Sequence, residues 1–215
     1  MNWKTSKSLN DALTNLKKTE EELLQFGTDM LSADNGNIFP IDLIAIGAMK
    51  RTSSNTEGFI LLVESKNMSS ARSLLRVQID TFMRFSSLWL VDSPHNLAVE
   101  IIDGKHIRNI KDKLGNKMTD RYLTETLSKN YPWISNVYNN LSGYIHFSSQ
   151  HLFNAVNQIN NDTKTISFGI GKEDKQYPES SWIETVDCFI ESINILFFYL
   201  KSWIETKNRK KAVEE

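Results

Sequence analysis

The sequence has little of what turn-rich or cross-linked folds need. It contains 9 Gly, 4 Pro and a single cysteine, Cys188, in 215 residues. So few glycines and prolines disfavour β-sandwiches and favour long helices. One cysteine excludes a framework of intramolecular disulfides and is typical of a reducing compartment. The net charge of −1 provides no overall field toward nucleic acid or an anionic membrane, so such a contact needs a local patch.

Long hydrophobic runs are also missing. The longest apolar stretches, residues 59–63 and 193–200, fall well short of the roughly 20 residues that span a bilayer. The N-terminal residues lack the continuous apolar segment of a signal peptide. We therefore expect a soluble, cytoplasmic protein without membrane contact. It is predicted to form one domain, residues 1–215, with its core over about 41–206 and an N-terminal helix within 1–32 packed on that core.

Apolar residues at helical spacing predict most of the fold. Ser8 can cap a first helix, and Pro40 suits the first turn of a second helix, which Gly58 either breaks or leaves whole. A third helix, Met68–Val91, is apolar on both sides, which is typical of a central helix packed by neighbours all round. The chain is therefore predicted to be all-α, a bundle built around this helix.

The second half of the chain predicts further elements. Residues 94–130 are more polar and are expected to form shorter helices, interrupted by the turn-forming sequence LGNK. Pro132 opens a predicted helix that runs to about Asn157, and alternating residues then predict one small β-hairpin near 158–171. The sequence SWIE, residues 181–184, forms a capping box that marks the start of the last helix.

The predicted central helix carries a ladder of charged residues spaced four apart. These are Arg72, Arg76, Asp80 and Arg84. Charge on a mostly buried helix is unusual, because desolvating an unpaired charge costs free energy. Either the ladder marks a functional site, or Arg76 and Asp80 form a local ion pair and the outer arginines reach solvent.

A second polar strip lies on the helix predicted after Pro132. Ser142 and His146, four residues apart, share one flank of that helix with Asn139, and Tyr138 borders its apolar stripe. A neutral imidazole at this position could act as a general acid or base near pH 7. The alternative is a boundary histidine that hydrogen-bonds Ser142 or a neighbouring helix.

Other patterns argue against metal and cofactor sites. His146 and His151 would lie about 140° apart around a helix, so they do not form a zinc pair. The sequence contains no HExxH, CxxC, P-loop or GxGxxG motif. We therefore predict neither a metal nor a cofactor. The charged segment 103–108 is interpreted as a solvated face that could also contact phosphate, and the basic tail 207–211 as favourable charge at a helix C-terminus.

The two polar helices together resemble a known group of proteins. Ala71–Asp80 (ARSLLRVQID) and Tyr138–His146 (YNNLSGYIH) are similar to the paired motifs A-R-x-L-x-R-x-x-x-E/D and Y-x-x-L-S-x-x-x-H. Those motifs occur in bacterial all-helical proteins that distantly resemble the HEPN superfamily, which includes abortive-infection proteins and toxin ribonucleases. The resemblance spans roughly residues 41–198. It implies a bundle of long antiparallel helices, often dimeric, with a polar site between the motif helices.

The resemblance also implies a chemistry, from which this chain departs. In HEPN ribonucleases an Arg-x(4–6)-His motif on one helix cuts RNA without metal, helped by a two-fold partner. Here no arginine lies four to six residues before His146, and Asn139 and Asn140 occupy that region. His146 is therefore the one residue carried over. We hypothesise that Arg76 replaces the missing cation from the neighbouring helix.

Three functions follow as hypotheses. In the first, a homodimer cleaves RNA without metal, as His146 exchanges protons at the 2′-oxygen or the leaving 5′-oxygen. The predicted catalytic residues are His146, Arg76 and Asp80, and the predicted binding residues are Tyr138, Asn139, Ser142 and Arg72. In the second, the same cluster is structural or binds a small anion, a nucleotide or a protein without catalysis. In the third, the chain is an assembly subunit that uses exposed aromatic residues such as Trp3, Trp133 and Trp203.

Overall fold

Long helices dominate the structure, as the low glycine and proline content predicts. The computed structural model describes residues 5–171 and 173–214, and these ranges hold eight α-helices and one two-stranded sheet. The helices are α1 (Leu9–Ser32), α2 (Pro40–Glu64), α3 (Met68–Ser86), α4 (Pro94–Ile102), α5 (Asp120–Leu127), α6 (Trp133–Ile145), α7 (Ser149–Asn154) and α8 (Glu179–Glu214). Strands β1 (Val156–Asn160) and β2 (Thr165–Phe168) pair antiparallel. The predicted all-α class with one small β-hairpin is confirmed.

The centre of the bundle is α3. It packs against α2, α6 and α8, while α1 packs on α8 and α2. Its buried side chains include Leu75, Ile79 and Phe82, and the chain continues past Ser86 as a short 3₁₀ helix to Leu90. Beside it, the ring of Phe59 on α2 stacks on that of Phe189 on α8, with centroids 4.1 Å apart. The two-sided apolar pattern therefore predicted the position of α3 correctly.

Local sequence explains where the first two helices begin. The Ser8 hydroxyl accepts a hydrogen bond from the Asp11 amide at 3.2 Å, as predicted for α1. Pro40 opens α2, and the Phe39 amide donates to the Asp42 carboxylate at 2.8 Å. Gly58 does not break α2, which runs without interruption to Glu64.

Two predicted helix boundaries are wrong. The helix predicted to reach Asn157 ends at Ile145, and His146 adopts extended backbone angles, φ −106° and ψ 142°. The Ser148 hydroxyl causes the break, because it donates to the Gly143 carbonyl at 2.7 Å and accepts from the Gln150 amide at 3.2 Å. The last helix begins at Glu179, so the predicted capping box 181–184 lies inside its first turns.

Of the aromatic residues named for assembly, the two that the structure describes are not exposed. Trp203 is buried, Trp133 is half-buried, and Trp3 lies outside the described residues. Large exposed apolar side chains instead cluster in sequence around α7 and the hairpin, with Phe147, Phe153 and Ile170 the most exposed. Within residues 5–171 and 173–214, no helix is long and apolar enough to cross a membrane.

Candidate anion-binding cleft and active site

A small cleft where α2, α3 and α6 meet brings four predicted site residues together. Its volume is about 150 Å³, and it is lined by Arg51, Arg76, Val77, Asp80, Ser142, Ile145 and His146. Arg76 and Asp80 face it together because residues four apart lie on one side of a helix. Ser142 and His146 come from the last turn of α6 and the residue that caps it. Two short motifs about sixty residues apart thus meet in one cleft.

The ion pairs of the cleft centre on Asp80. Arg84 is its closest partner, because its Nε donates to both carboxylate oxygens, at 2.9 and 3.0 Å. The same guanidinium also donates to Asp120 at 2.6 Å. Burial lowers the pKa of Arg84, but the two carboxylates outweigh burial, so that pKa is raised overall. Arg51 and Arg76 lie farther from Asp80, at 3.7 and 4.0 Å, and are only weakly neutralised.

Arg76 is the least satisfied cation of the cleft. Its side chain is only 14% exposed, and its guanidinium carbon lies 3.4 Å from the centre of the Tyr138 ring. Its Nε is buried and has no hydrogen-bond partner among the residues that the structure describes. Burial lowers the pKa of Arg76, although Tyr138 and Asp80 raise it. A buried donor without an acceptor is rare in a folded protein and calls for an explanation.

The ring of Tyr138 packs against the guanidinium of Arg76. It is 7% exposed, and its hydroxyl also has no hydrogen-bond partner within the described ranges. Burial raises the pKa of Tyr138 well above its ordinary value, the Arg76 cation opposes that rise, and the Asp120 and Asp80 carboxylates add to it. The phenol is therefore neutral at physiological pH. It can donate a hydrogen bond, but it is a poor candidate for a general base.

His146 lies at the mouth of the cleft with an exposed side chain. The Ser142 hydroxyl donates to the Tyr138 carbonyl at 2.8 Å and does not pair with the imidazole. The imidazole has no hydrogen-bond partner in the described part of the chain, whereas its backbone amide donates to the Ser142 carbonyl at 3.3 Å. The predicted alternative, a boundary histidine that hydrogen-bonds Ser142 or a neighbouring helix, is therefore not what the structure shows. Both ring nitrogens are available to a ligand.

Two predicted binding residues lie elsewhere. Arg72 is on the same helix as Arg76, but it lines a different pocket, where its guanidinium lies between the rings of Tyr144 and Tyr177. Asn139 is exposed and lines neither that pocket nor the cleft. Arg72 and Asn139 share helices with the residues of the cleft, but this alone does not place them in it.

Sequence reasoning missed Arg51 and a neighbouring basic pocket. Arg51 lies in the polar middle of α2. The only feature of the sequence that could have indicated it is this polar interruption of an otherwise apolar helix. Arg84, Lys105, His106 and Arg108 help to line the basic pocket, which has a volume of about 480 Å³. Since Arg84 bonds Asp80, the basic pocket adjoins the cleft. The segment interpreted as a solvated face therefore forms one wall of a cationic pocket.

A second cluster of charge, the Lys207 cluster, lies where α1, α2 and α8 meet and is closed to solvent. The Lys207 side chain is 0% exposed. Its ammonium donates to the carbonyls of Met30 and Asn37, at 2.8 and 3.0 Å, and to Asp42 at 3.0 Å. Trp203 donates to the other Asp42 oxygen at 2.7 Å. The interpretation of the basic tail as favourable charge at a helix C-terminus does not describe Lys207, because all three of its ammonium donors are used inside the protein.

Metal-ligating side chains do not gather in the described ranges. No group of three or more His, Cys, Asp or Glu side chains there could hold a metal ion. Comparison with known proteins gives no match: no family model, no curated protein and no solved structure matches this chain. The fold and the cleft therefore define the protein as an all-α bundle with a cationic cleft, and the HEPN resemblance rests on the two sequence motifs alone.

Proposed function

We propose that this protein is a HEPN-like endoribonuclease that binds and cuts single-stranded RNA at the cleft, without metal. One observation carries the proposal. The imidazole of His146, with both nitrogens unengaged, opens onto the same small cleft as Arg51 and the incompletely satisfied Arg76. An acid–base group beside cations that are only weakly neutralised is the minimum requirement for phosphoryl transfer. By the same resemblance, the biological setting is bacterial defence or toxicity.

The reaction uses the 2′-hydroxyl of RNA as its nucleophile. The 2′-oxygen attacks the adjacent phosphorus, the bond from phosphorus to the 5′-oxygen breaks, and a 2′,3′-cyclic phosphate and a 5′-hydroxyl result. His146 accepts the proton of the 2′-hydroxyl and returns it to the leaving 5′-oxygen. Arg51 and Arg76 stabilise the negative charge that grows on the phosphate, while Asp80 and Tyr138 hold Arg76 in place.

The size of the cleft favours a single backbone segment. A volume of about 150 Å³ suits a phosphate group and its nearest atoms, and not a folded RNA. The basic pocket continues from the cleft with Lys105 and Arg108, which supply the local patch that the near-neutral chain otherwise lacks. Phosphate contacts of this kind give affinity that falls as salt rises.

The charges of the cleft support cleavage without a metal ion. Asp80 is its one carboxylate, and three arginines already lie within 4.0 Å of that carboxylate. Two of them, Arg51 and Arg76, also line the cleft. A divalent cation would meet net positive charge there, whereas metal sites for phosphoryl transfer are built from carboxylates.

The test is cleavage of a labelled single-stranded RNA in the presence of EDTA, with DNA of the same sequence as a control that lacks the 2′-hydroxyl. We expect cleavage of the RNA alone, with cyclic phosphate ends. His146→Ala should lower the rate by about 100-fold or more, with little change in stability because the side chain is exposed. Arg51→Gln should also lower the rate, while Arg121→Gln, at an exposed arginine on α5, should not.

Unchanged cleavage by His146→Ala would exclude this mechanism. A wild-type protein that binds RNA in a salt-dependent way and leaves it intact would instead favour the second function, anion binding at the same cleft without catalysis. One observation favours this second function: the cleft contains a single imidazole, which would have to serve as both acid and base.

We also propose that two copies pair, as the HEPN resemblance implies. Phe147, directly after His146, is 85% exposed, and Phe153 and Ile170 are exposed on the adjoining elements. Apolar surface of this kind is typical of an interface. Light scattering after size exclusion should report a dimer, and the double variant Phe147→Ser/Phe153→Ser should report a monomer.

A further inference from the structure

A second and larger pocket, the Arg72 pocket, lies between α3, α6 and α8. It has a volume of about 460 Å³ and shares no lining residue with the cleft. Pockets of roughly 300–1,000 Å³ are typical of small-molecule sites. We propose that this pocket binds a nucleoside monophosphate, with the phosphate on Arg72 and the base against the apolar floor of the pocket.

Arg72 provides a positive charge that is held in a fixed position. Its guanidinium carbon lies 5.2 and 4.8 Å from the ring centres of Tyr144 and Tyr177, and it donates to both tyrosine hydroxyls. The Tyr177 hydroxyl donates in turn to Asn154 at 2.5 Å, which fixes that ring. Tyrosines therefore orient this arginine without neutralising it.

The Arg72 charge differs from the other charges of the ladder. In residues 5–171 and 173–214, apart from the side chains after 209, no carboxylate lies within 4.0 Å of the Arg72 guanidinium. The carboxylate of Asp174, on the neighbouring loop, accepts a hydrogen bond from the Ser69 amide at 2.9 Å. By contrast, Arg84 is held by two carboxylates. A rigid, half-buried and uncompensated guanidinium is suited to bind phosphate.

The rest of the pocket suits a nucleobase. Its floor is apolar and buried, with Leu75, Leu141 and Cys188. Its rim carries three exposed amide side chains, Asn136, Asn140 and Gln150. The floor can receive the face of a flat heterocycle, while amides offer both donors and acceptors to its edge. Inorganic phosphate would use Arg72 and leave these features without a partner.

The charge of the pocket argues for one phosphate group. Among the residues that the structure describes, Glu184 is the only carboxylate that lines the pocket, and Arg72 is the only cation. The pair leaves the site neutral overall, so a triphosphate would meet too little positive charge. Of the nucleoside phosphates, a monophosphate brings the least negative charge into this pocket, and Glu184 can accept hydrogen bonds from a base amino group or a ribose hydroxyl.

The experiment is calorimetric titration of the full chain, without RNA, with AMP, GMP, CMP, UMP and inorganic phosphate as separate probes. We expect at least one mononucleotide to bind once per chain with a Kd below about 1 mM. Inorganic phosphate should bind at least about tenfold more weakly, since it leaves the floor and the rim unused. Arg72→Gln should weaken nucleotide binding by about tenfold or more.

Arg72→Gln also removes contacts to two tyrosines, so a second variant tests the pocket without changing Arg72. Asn140→Phe fills the rim from an exposed position of α6 and should abolish binding. Asn139→Phe, the neighbouring exposed position outside the pocket, should leave binding intact. His146→Ala should also retain binding, so a failure of the ribonuclease proposal and a failure of this one are distinguishable.

Three results would overturn the proposal. One is no measurable binding of any of the four mononucleotides at millimolar concentration. Another is equal affinity in wild type, Arg72→Gln and Asn140→Phe, which would put the nucleotide elsewhere on the protein. The third is inorganic phosphate binding as tightly as the nucleotides, which would leave no role for the apolar floor.

Discussion

The protein contains two clusters of charge that satisfy their hydrogen bonds in opposite ways. In the Lys207 cluster every donor of a fully buried ammonium has an acceptor inside the protein. In the cleft, His146 is exposed and the Arg76 Nε has no partner among the described residues. The more buried cluster is therefore the structural one. The difference teaches that a candidate site is recognised by charge that the fold leaves unsatisfied rather than by charge that is merely buried.

The strongest test of this contrast is Lys207→Met. The variant leaves the Asp42 carboxylate buried without its cation, so we expect a loss of about 3–5 kcal/mol in the free energy of unfolding. Urea unfolding followed by circular dichroism measures it. Lys201→Met, at an exposed lysine of the same helix, should change stability by less than about 0.5 kcal/mol. A Lys207→Met loss as small as that of the control would show that Asp42 does not need this cation.

A smaller effect should rank two of the three arginines of the ladder, Arg84 and Arg76. Arg84 bonds Asp80 and Asp120, so Arg84→Ala should cost about 1–3 kcal/mol. Arg76→Ala removes a weak ion pair and a cation–π contact, and should cost about 0.5–2 kcal/mol. The same unfolding measurement compares the two variants. The reverse order would mean that Arg76 is structural, and it would weaken its assignment to the cleft.

The smallest expected effect concerns Asp112, a loop carboxylate whose oxygens already accept hydrogen bonds inside the protein. Burial raises its pKa, but hydrogen bonds from the Tyr122 hydroxyl and the Asn116 and Leu114 amides outweigh burial, so the pKa is lowered overall. A lowered pKa means that the ionised form stabilises the fold above the unfolded value of about 3.9, and that this contribution is lost as pH falls through the folded pKa.

Asp112→Asn should therefore lower the unfolding midpoint at pH 7 by less than Arg84→Ala does. The gap to wild type should narrow as the pH falls below about 4. Thermal unfolding at pH 7, 5 and 3 measures this gap. A gap that stays constant across the three pH values would show that ionisation of Asp112 does not contribute.

Most of the fold could be predicted because apolar spacing reports helices directly. The two apolar sides of α3 gave its central position, since only a helix with neighbours all round buries both sides. The end of α6 could not be predicted. It depends on a hydrogen bond from the Ser148 hydroxyl to the Gly143 carbonyl, and Gly143 itself lies inside the helix. No proline or terminal glycine marks that boundary in the sequence.

The cleft could be predicted in part. Spacing alone put Arg76 beside Asp80, and the motif on α6 supplied Ser142 and His146. Arg51 could not be found, because its place depends on which face of α2 meets α3. The burial of Lys207 could not be predicted for a similar reason, since its partner Asp42 lies 165 residues earlier in the chain. Sequence spacing predicts neighbours on one helix, but it does not predict contacts between helices.

That long separation also sets the order of events during synthesis. The Lys207 ammonium reaches back 165 to 177 residues, so the loop that it closes includes most of the chain. At the roughly 5–20 residues per second of translation, about 8–33 s pass between the addition of Asp42 and that of Lys207. Throughout this interval, α1 and α2 have no α8 to cover them. They are then open to chaperones and proteases, and the core around Lys207 can close only after α8 has been made.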